Sequence, residues 1–309
     1  MIFDLMLAAI LAAAAQATPA PQTDPVAELI SDINADADAA AGATADTSAE
    51  TSADTGPIRC AGVHRQGAAL ICRAAPGAEV ALGDVSVTAG PDGWIVIGHD
   101  RDAAAETTLS VRAGDSVWEQ VVAVEQREYD IQRIEGVPQQ YVSPPPETLE
   151  RIRAEGRRKA AAYTSLWETP GFAEGFTVPV QDARITGVYG SQRYFNGEPR
   201  RPHYGLDYAA PAGTPVTAPA PGVVTLADPD MYYEGGLIFI DHGQGFISGF
   251  LHLSEVDVAV GDVVEQGDRI GAIGAGGRST GAHLDWRIKW RGRYIDPAEV
   301  LAVQASDLR

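Results

Sequence analysis

The sequence predicts an all-β chain. An antiparallel sheet is expected in its C-terminal part, a smaller sandwich-like β domain before it, and a single connecting helix between them. Three observations predict this. Gly (33 residues) and Pro (20) are plentiful while aromatics make up 7%, a composition of many turns and short strands. From Phe176 onward, β-prone runs alternate with Gly and Pro punctuation, and no long amphipathic stretch interrupts them. Period-two patterning recurs, most clearly in His283 to Trp290. A length of 309 residues allows two folded domains with tails.

Taken from the N-terminus, residues 1–17 read as a signal peptide. Leu5 to Ala15 is an apolar core of the right length, and Ala15-Gln16-Ala17 has the small-x-small form of a cleavage site. No basic residue precedes the apolar run, and Asp4 stands there instead. Residues 18–56 carry eight acidic residues and no Lys or Arg. Such a segment repels itself and buries nothing, so it is expected to be a disordered linker that lets the folded parts range. Residues 57–125 form the small β domain. Val85 to Val87, Trp94 to Ile97, Thr107 to Val111 and Val117 to Val124 are its strands, with turns at Pro91-Asp92-Gly93 and Ala113-Gly114-Asp115. Cys60 and Cys72 are the only cysteines. In an exported protein they would close a hairpin as one disulfide, and in a reducing compartment they would be buried thiols. His64 and His99 read as ordinary surface or turn histidines.

Residues 126–175 link the halves. Pro144-Pro145-Pro146 is a stiff spacer, and Glu147 to Trp167 is expected to be a helix with Leu149, Ile152 and Ala160 to Tyr163 on one side. Its basic cluster, Arg151, Arg153, Arg157, Arg158 and Lys159, is expected to be a solvated face, with contact to an anionic polymer as the alternative. Residues 176–309 form the C-terminal β domain.

Charge removes several function classes. Against 23 basic residues stand 42 acidic ones, a net −19, the wrong sign for a general nucleic-acid binder or an electrostatically held membrane-surface protein. No apolar run reaches the ~20 residues of a spanning helix, so no integral span is expected once the leader is removed.

Chemistry concentrates in the last domain, which holds four of the six histidines. His203 and Asp207 are four apart, ~13 Å on a straight strand, with Gly205 between them where the chain can bend. His283 and Asp285 share a strand face at ~6.6 Å. With His252 on a third strand, imidazoles and carboxylates could converge as an open metal site, the usual zinc donors when cysteines are absent. Other constellations fail. Gly271 to Gly277 lacks a phosphate-loop ending, and neither HExxH nor G-x-S-x-G occurs. His242, in an Asp-His-Gly turn, reads as structural. Tyr189, Arg193, Asn196 and Tyr204 are candidates for lining a groove.

Seven segments, read in order, resemble one family. They are His203 to Asp207, Ala209 to Val216, Pro221 to Val224, Ile240 to Gly243, Leu251 to Ser254, Val260 to Val263 and Thr280 to Leu284. Together they resemble the LytM/lysostaphin-type zinc peptidases, peptidoglycan endopeptidases with a β-sheet core, over about Ala183 to Val300. Residues 129–134 also look similar to the N-terminal part of proteobacterial members. The resemblance implies that His203 and Asp207 are Zn2+ ligands and that His252 and His283 are catalytic. The family's third ligand is the second histidine of His-x-His, a position held here by Asp285. Aspartate ligates zinc too. One histidine with two carboxylates would cancel the ion's charge and acidify a bound water less. That would give slower turnover at neutral pH, or a higher pH optimum, than in His-x-His relatives.

The resemblance therefore implies an exported zinc metalloendopeptidase of the periplasm or cell envelope. It would act on peptidoglycan stem peptides or crosslinks, with envelope proteins as partners. The alternative is a catalytically impaired activator of cell-wall amidases, and a further one is a wall-binding module.

Overall fold

The computed structural model describes residues 53–134, 146–195, 197–199, 201–279 and 281–309. The expected leader and linker up to residue 52 lie outside the described residues, as do Pro144, Pro145, Asn196 and the side chain of Arg193.

Eight strands come first: β1 (Ala53–Thr55), β2 (Ile58–Ala61), β3 (Ala69–Arg73), β4 (Glu79–Leu82), β5 (Val85–Thr88), β6 (Trp94–Gly98), β7 (Glu106–Ala113) and β8 (Ser116–Ala123). They form two four-stranded antiparallel sheets, ordered β1-β2-β3-β6 and β5-β4-β7-β8. Alternation decides which way the second sheet faces. Val80 and Leu82 of β4, with Leu109 and Val111 of β7, point inward while Glu79 and Glu106 point out. In the first sheet β3 and β6 are buried on both faces, because Val303, Ala305 and Leu308 near the C-terminus join the same buried cluster. Cys60 and Cys72 sit directly opposite one another on β2 and β3 and form a disulfide. The described residues include Ala53 to Thr55 of the acidic stretch, which pair as β1 with β2.

A ninth strand, β9 (Ile131–Ile134), is followed by helix α1 (Leu149–Ala162). The helix is shorter than the 147–167 expected. Asp241 accepts hydrogen bonds from the Ser165 hydroxyl at 2.7 Å and the Trp167 N–H at 2.8 Å, which draws the chain off the helix axis. The basic cluster is mostly paired. Arg158 meets Asp228, Arg151 meets Asp230, Lys159 meets Glu234, and Arg157 meets Glu150 on the helix itself. Of the expected apolar side Ala162 is buried, Leu149, Ile152 and Tyr163 are half-buried, and Ala160 and Ala161 are exposed, while the other buried side chain of α1 is Glu155. Glu155 tolerates burial because it takes Arg151 and the Tyr232 N–H.

The C-terminal sheet contains β10 (Arg184–Gly187), β13 (Gly205–Ala209), β14 (Pro215–Thr217), β15 (Gly222–Met231), β16 (Gly235–Asp241), β17 (Phe246–Val256), β18 (Val263–Val264), β19 (Arg269–Ile273), β20 (His283–Trp290) and β21 (Arg293–Ile295). Its main path runs β10-β13-β20-β17-β16-β15-β18, antiparallel throughout. β11 (Gln192–Phe195) pairs with the short β12 (Glu198–Pro199), and in parallel with β9. Helix α2 (Pro297–Leu301) follows β21, capped by Asp296.

The two faces of the large sheet differ. One carries Leu206, Tyr208, Phe250, Leu284, Trp286 and Ile288 into the main core. The other holds Leu226, Phe239, Ile247 and Leu251, covered by Ala162 and Tyr163 of the helix end, and beside them the charged residues described below.

The sandwich does not hang free of this sheet, contrary to the freely ranging parts that the linker led one to expect. Arg293 donates to the carbonyls of Gly98 and Leu82 at 2.9 and 3.0 Å. Gln244 accepts from Val96 N–H and donates to the Trp94 carbonyl. His99 is buried, not superficial, and contacts His64 at 2.9 Å.

Candidate active site

Sheet register builds the site. Asp207 on β13 lies directly opposite Asp285 on β20, and Gly205 lies opposite Arg287. Cross-strand partners point to the same face, so the two carboxylates converge without any bend. The glycines make room for them. A Cβ on Gly205 would overlap Asp285 Oδ1, and one on Gly187 would overlap Asp207 Oδ2. His203 reaches the same place from the segment just before β13. That segment is pinned by His203 N–H to Ser191 O at 2.9 Å and Gly190 N–H to His203 O at 2.7 Å.

His203 Nε2 and Asp207 Oδ1 face each other at 3.2 Å. Both are buried and neither has a hydrogen-bond partner among the described residues. Buried polar atoms are rarely left so. With Asp285, each residue offers one ligand atom, all within 4.8 Å of one another. A divalent cation placed among them would satisfy the orphaned atoms, so the donor set fits zinc, which accepts imidazole nitrogen and carboxylate oxygen.

Arg287, two residues along the same strand face, grips Asp285. Its Nε donates to Oδ1 at 3.0 Å and to Oδ2 at 3.1 Å, and Nη2 donates to Oδ2 as well. Burial would raise the Asp285 pKa, but the guanidinium, then His203, hold it well below the ordinary carboxylate range. Sequence reading missed Arg287. The period-two pattern of His283 to Trp290, which places it on the same face as Asp285, was the signal available.

The two remaining imidazoles lie together, ring centroids 4.8 Å apart. His283 begins β20 on the face of Asp285. His252 needs a device to join it. Leu251 pairs with Asp285, so strict alternation would turn His252 to the opposite face. The register between β16 and β17 shifts here, with Gly236 opposite Leu253 but Ile238 opposite Phe250. The extra residue makes a bulge, and His252 adopts φ +66°, which re-aims its ring. Its N–H donates to Glu234 O at 2.8 Å. Each ring is also fixed by a carbonyl, His252 Nδ1 at 2.9 Å from Gly276 O and His283 Nδ1 at 2.9 Å from Gly281 O. A carbonyl only accepts, so Nδ1 carries the proton in both rings and Nε2 is left as the working atom. Burial, then the neighbouring His283, pushes the pKa of His252 down.

Of the other candidates, His242 and Tyr189 serve packing, while Tyr204 lines a surface cavity with Arg101, Arg201 and Arg293. His242 is fully buried between Pro221 O and Ser248 Oγ. Tyr189 is 2% exposed, with its hydroxyl donated to Tyr294 O, so it lines no groove. Tyr204 stacks on Tyr294 at 4.3 Å.

Comparison with known proteins follows this geometry. Residues 201–297 match the model of peptidase family M23. A solved structure from Pseudomonas aeruginosa assigned to peptidase M23 is 31% identical, covering 77% of this chain and 95% of that one, with a TM-score of 0.61. The chain belongs to peptidase family M23. Among curated M23-like relatives, it is 37% identical over 122 residues to the peptidoglycan DD-endopeptidase ShyA of Vibrio cholerae, a match covering 37% of this chain and 28% of ShyA. It is 38% identical over 127 residues to the DD-carboxypeptidase/endopeptidase Mpg of Neisseria meningitidis, covering 41% of this chain and 29% of Mpg. The matched part of this M23 chain thus spans under a third of the length of those relatives.

Proposed function

We propose that this M23 peptidase is an exported zinc metalloendopeptidase that hydrolyses peptide bonds in bacterial peptidoglycan. The observation that carries the reading is the pair of orphaned buried atoms, His203 Nε2 and Asp207 Oδ1, beside the Asp285 carboxylate. The substrate class follows from relatives named as peptidoglycan DD-endopeptidases. An envelope location follows from that substrate. Among the described residues no helix is long and apolar enough to cross a membrane.

In this reading His203, Asp207 and Asp285 hold the ion. Zinc, when bound, supplies Lewis-acid polarisation of a water and of the scissile carbonyl. The chain's own part is proton handling. One of the two Nε2 atoms of His252 and His283 accepts a proton from the attacking water and returns it to the leaving amine, and the other ring, whose Nδ1–H is already given to a carbonyl, steadies the oxyanion through Nε2–H in its imidazolium form. Both rings are held by backbone carbonyls, so neither must reorient during the reaction. The presence of His203, Asp207, His252 and His283 on one face supports the hydrolase over the amidase-activator reading, which needs none of them.

The test is digestion of purified peptidoglycan by the full chain, with and without a chelator, followed by mass analysis. New peptide amine ends that vanish with chelator and return with zinc are expected. Intact wall material under all conditions would overturn the proposal.

A further inference from the structure

Arg287 is a charged neighbour of the site that the hydrolytic chemistry above does not use. It stands in an arrangement that the sheet has made room for. Gly205 lies opposite it on β13, and a Cβ there would meet Arg287 Cγ at 2.9 Å besides overlapping Asp285 Oδ1. The glycine therefore lets the Arg287 stem lie across the strand while the guanidinium turns back onto Asp285. Without it, two carboxylates would face each other on adjacent strands, an unfavourable pairing. The Asp285 side chain is 5% exposed and that of Arg287 is 31% exposed, so the carboxylate is sealed in and the guanidinium reaches the edge.

We propose that Arg287 is a positioning residue that holds Asp285 as a metal ligand of reduced charge, making the Asp285–Arg287 pair the electrostatic equivalent of a neutral ligand. This rests on the zinc reading above. With His203 neutral, Asp207 and Asp285 contribute −2 and Arg287 contributes +1, so the ion sees a net −1. The same net charge comes from one carboxylate with two imidazoles. The fully cancelled site that a count of ligands alone predicts is therefore not the site present. The geometry permits both bonds, because a carboxylate has about four lone-pair positions and Arg287 uses one edge of it.

Affinity should then follow pocket charge rather than ligand type. Arg287→Gln leaves −2, the wild type has −1, Asp285→His with Arg287 kept has 0, and the double variant returns to −1. Zinc affinity of the metal-stripped full-length protein, measured by competition with a chromophoric chelator, reads this ladder directly. Since the guanidinium is partly solvated and its charge partly screened, each step is expected to be about tenfold. Arg287→Gln should bind more tightly than wild type, Asp285→His more weakly, and the double variant within about threefold of wild type. Circular dichroism confirms that each variant is folded. If Asp285→His does not fold, the comparison of Arg287→Gln with wild type still decides, and unchanged or weaker zinc binding in that variant overturns the proposal. Asp285→His binding zinc as tightly as wild type overturns it too, while leaving the hydrolase reading intact. Wild-type protein that takes up no zinc overturns both.

Discussion

In the proposed reading the histidines of the site do two kinds of work, and metal content separates them. His203 presents an orphaned Nε2 to Asp207, whereas His252 and His283 are tied by Nδ1 to carbonyls. His203→Ala is expected to lose zinc and activity together. His252→Ala and His283→Ala should keep near-stoichiometric zinc yet lose about 10²- to 10⁴-fold in peptidoglycan cleavage, the usual worth of an acid–base group. Metal analysis beside a digestion assay checks this, and loss of zinc in His252→Ala would reverse the assignment. His252 already occupies φ +66°, a conformation that costs a non-glycine residue about 1–2 kcal/mol. Its replacement by Asn, which tolerates that region, should leave stability nearly unchanged while activity still falls.

Among the elements, α1 is the one whose role changed most between sequence and structure. Its cations hold the 228–234 hairpin, which passes the Glu234 carbonyl to the His252 N–H. The buried Glu155 accepts Tyr232 N–H at 3.0 Å, so Glu155→Ala leaves a half-buried donor unpaired and should cost about 1–2 kcal/mol. Arg157→Ala breaks only an exposed pair and should cost under about 1 kcal/mol. Denaturant melts compare them, and faster amide exchange at Tyr232 in Glu155→Ala would locate the damage; equal effects would discount the clamp. Strands with strong β-branched or period-two patterns were legible in sequence, as β20 shows by matching His283–Trp290. The motifs also singled out the residues that the fold brings together, His203 with Asp207 and Asp285 and His252 with His283. What sequence could not show came from register and long-range pairing. The direct Asp207–Asp285 opposition, the bulge at His252, the parallel β9–β11 pair and the burial of Glu155 each depend on a partner far away in the chain. Periodicity sees only neighbours.

At the scale of the molecule, one buried cluster runs from the N-terminal sandwich into the C-terminal sheet, through Ile58, Leu70 and Ile97 to Val303, Leu308 and Trp290. A shared core predicts a single unfolding transition rather than two. Two buried histidines then make that transition sensitive to acid. Desolvation, then His64 and Arg293, pushes His99 down to about 3, and desolvation pushes His242 down to about 4 against its backbone hydrogen bond and Asp241. Both stay neutral in the fold but take a proton near pH 6.5 once unfolded. The unfolded chain therefore binds more protons at every pH between about 6.5 and those lowered values, and stability falls as pH falls through that window. Above pH 6.5 neither group contributes a slope. Each costs up to about 1.4 kcal/mol per pH unit, or about 2 kcal/mol between pH 6.5 and 5. Relief of self-repulsion in this acidic chain acts in the opposite direction over the same range, so the comparison must be made within one background. His99→Gln keeps a partner for His64 and removes one titrating group. Thermal or denaturant melts from pH 7.5 to 5 should show one transition in both proteins, with the acid-induced histidine slope smaller in the variant but not abolished, since His242, and His64 and His252, which burial also pushes down, still contribute. Identical slopes would show that His99 is protonated in the fold at no cost, and two separated transitions would show that the sandwich and the sheet do not share one cooperative core.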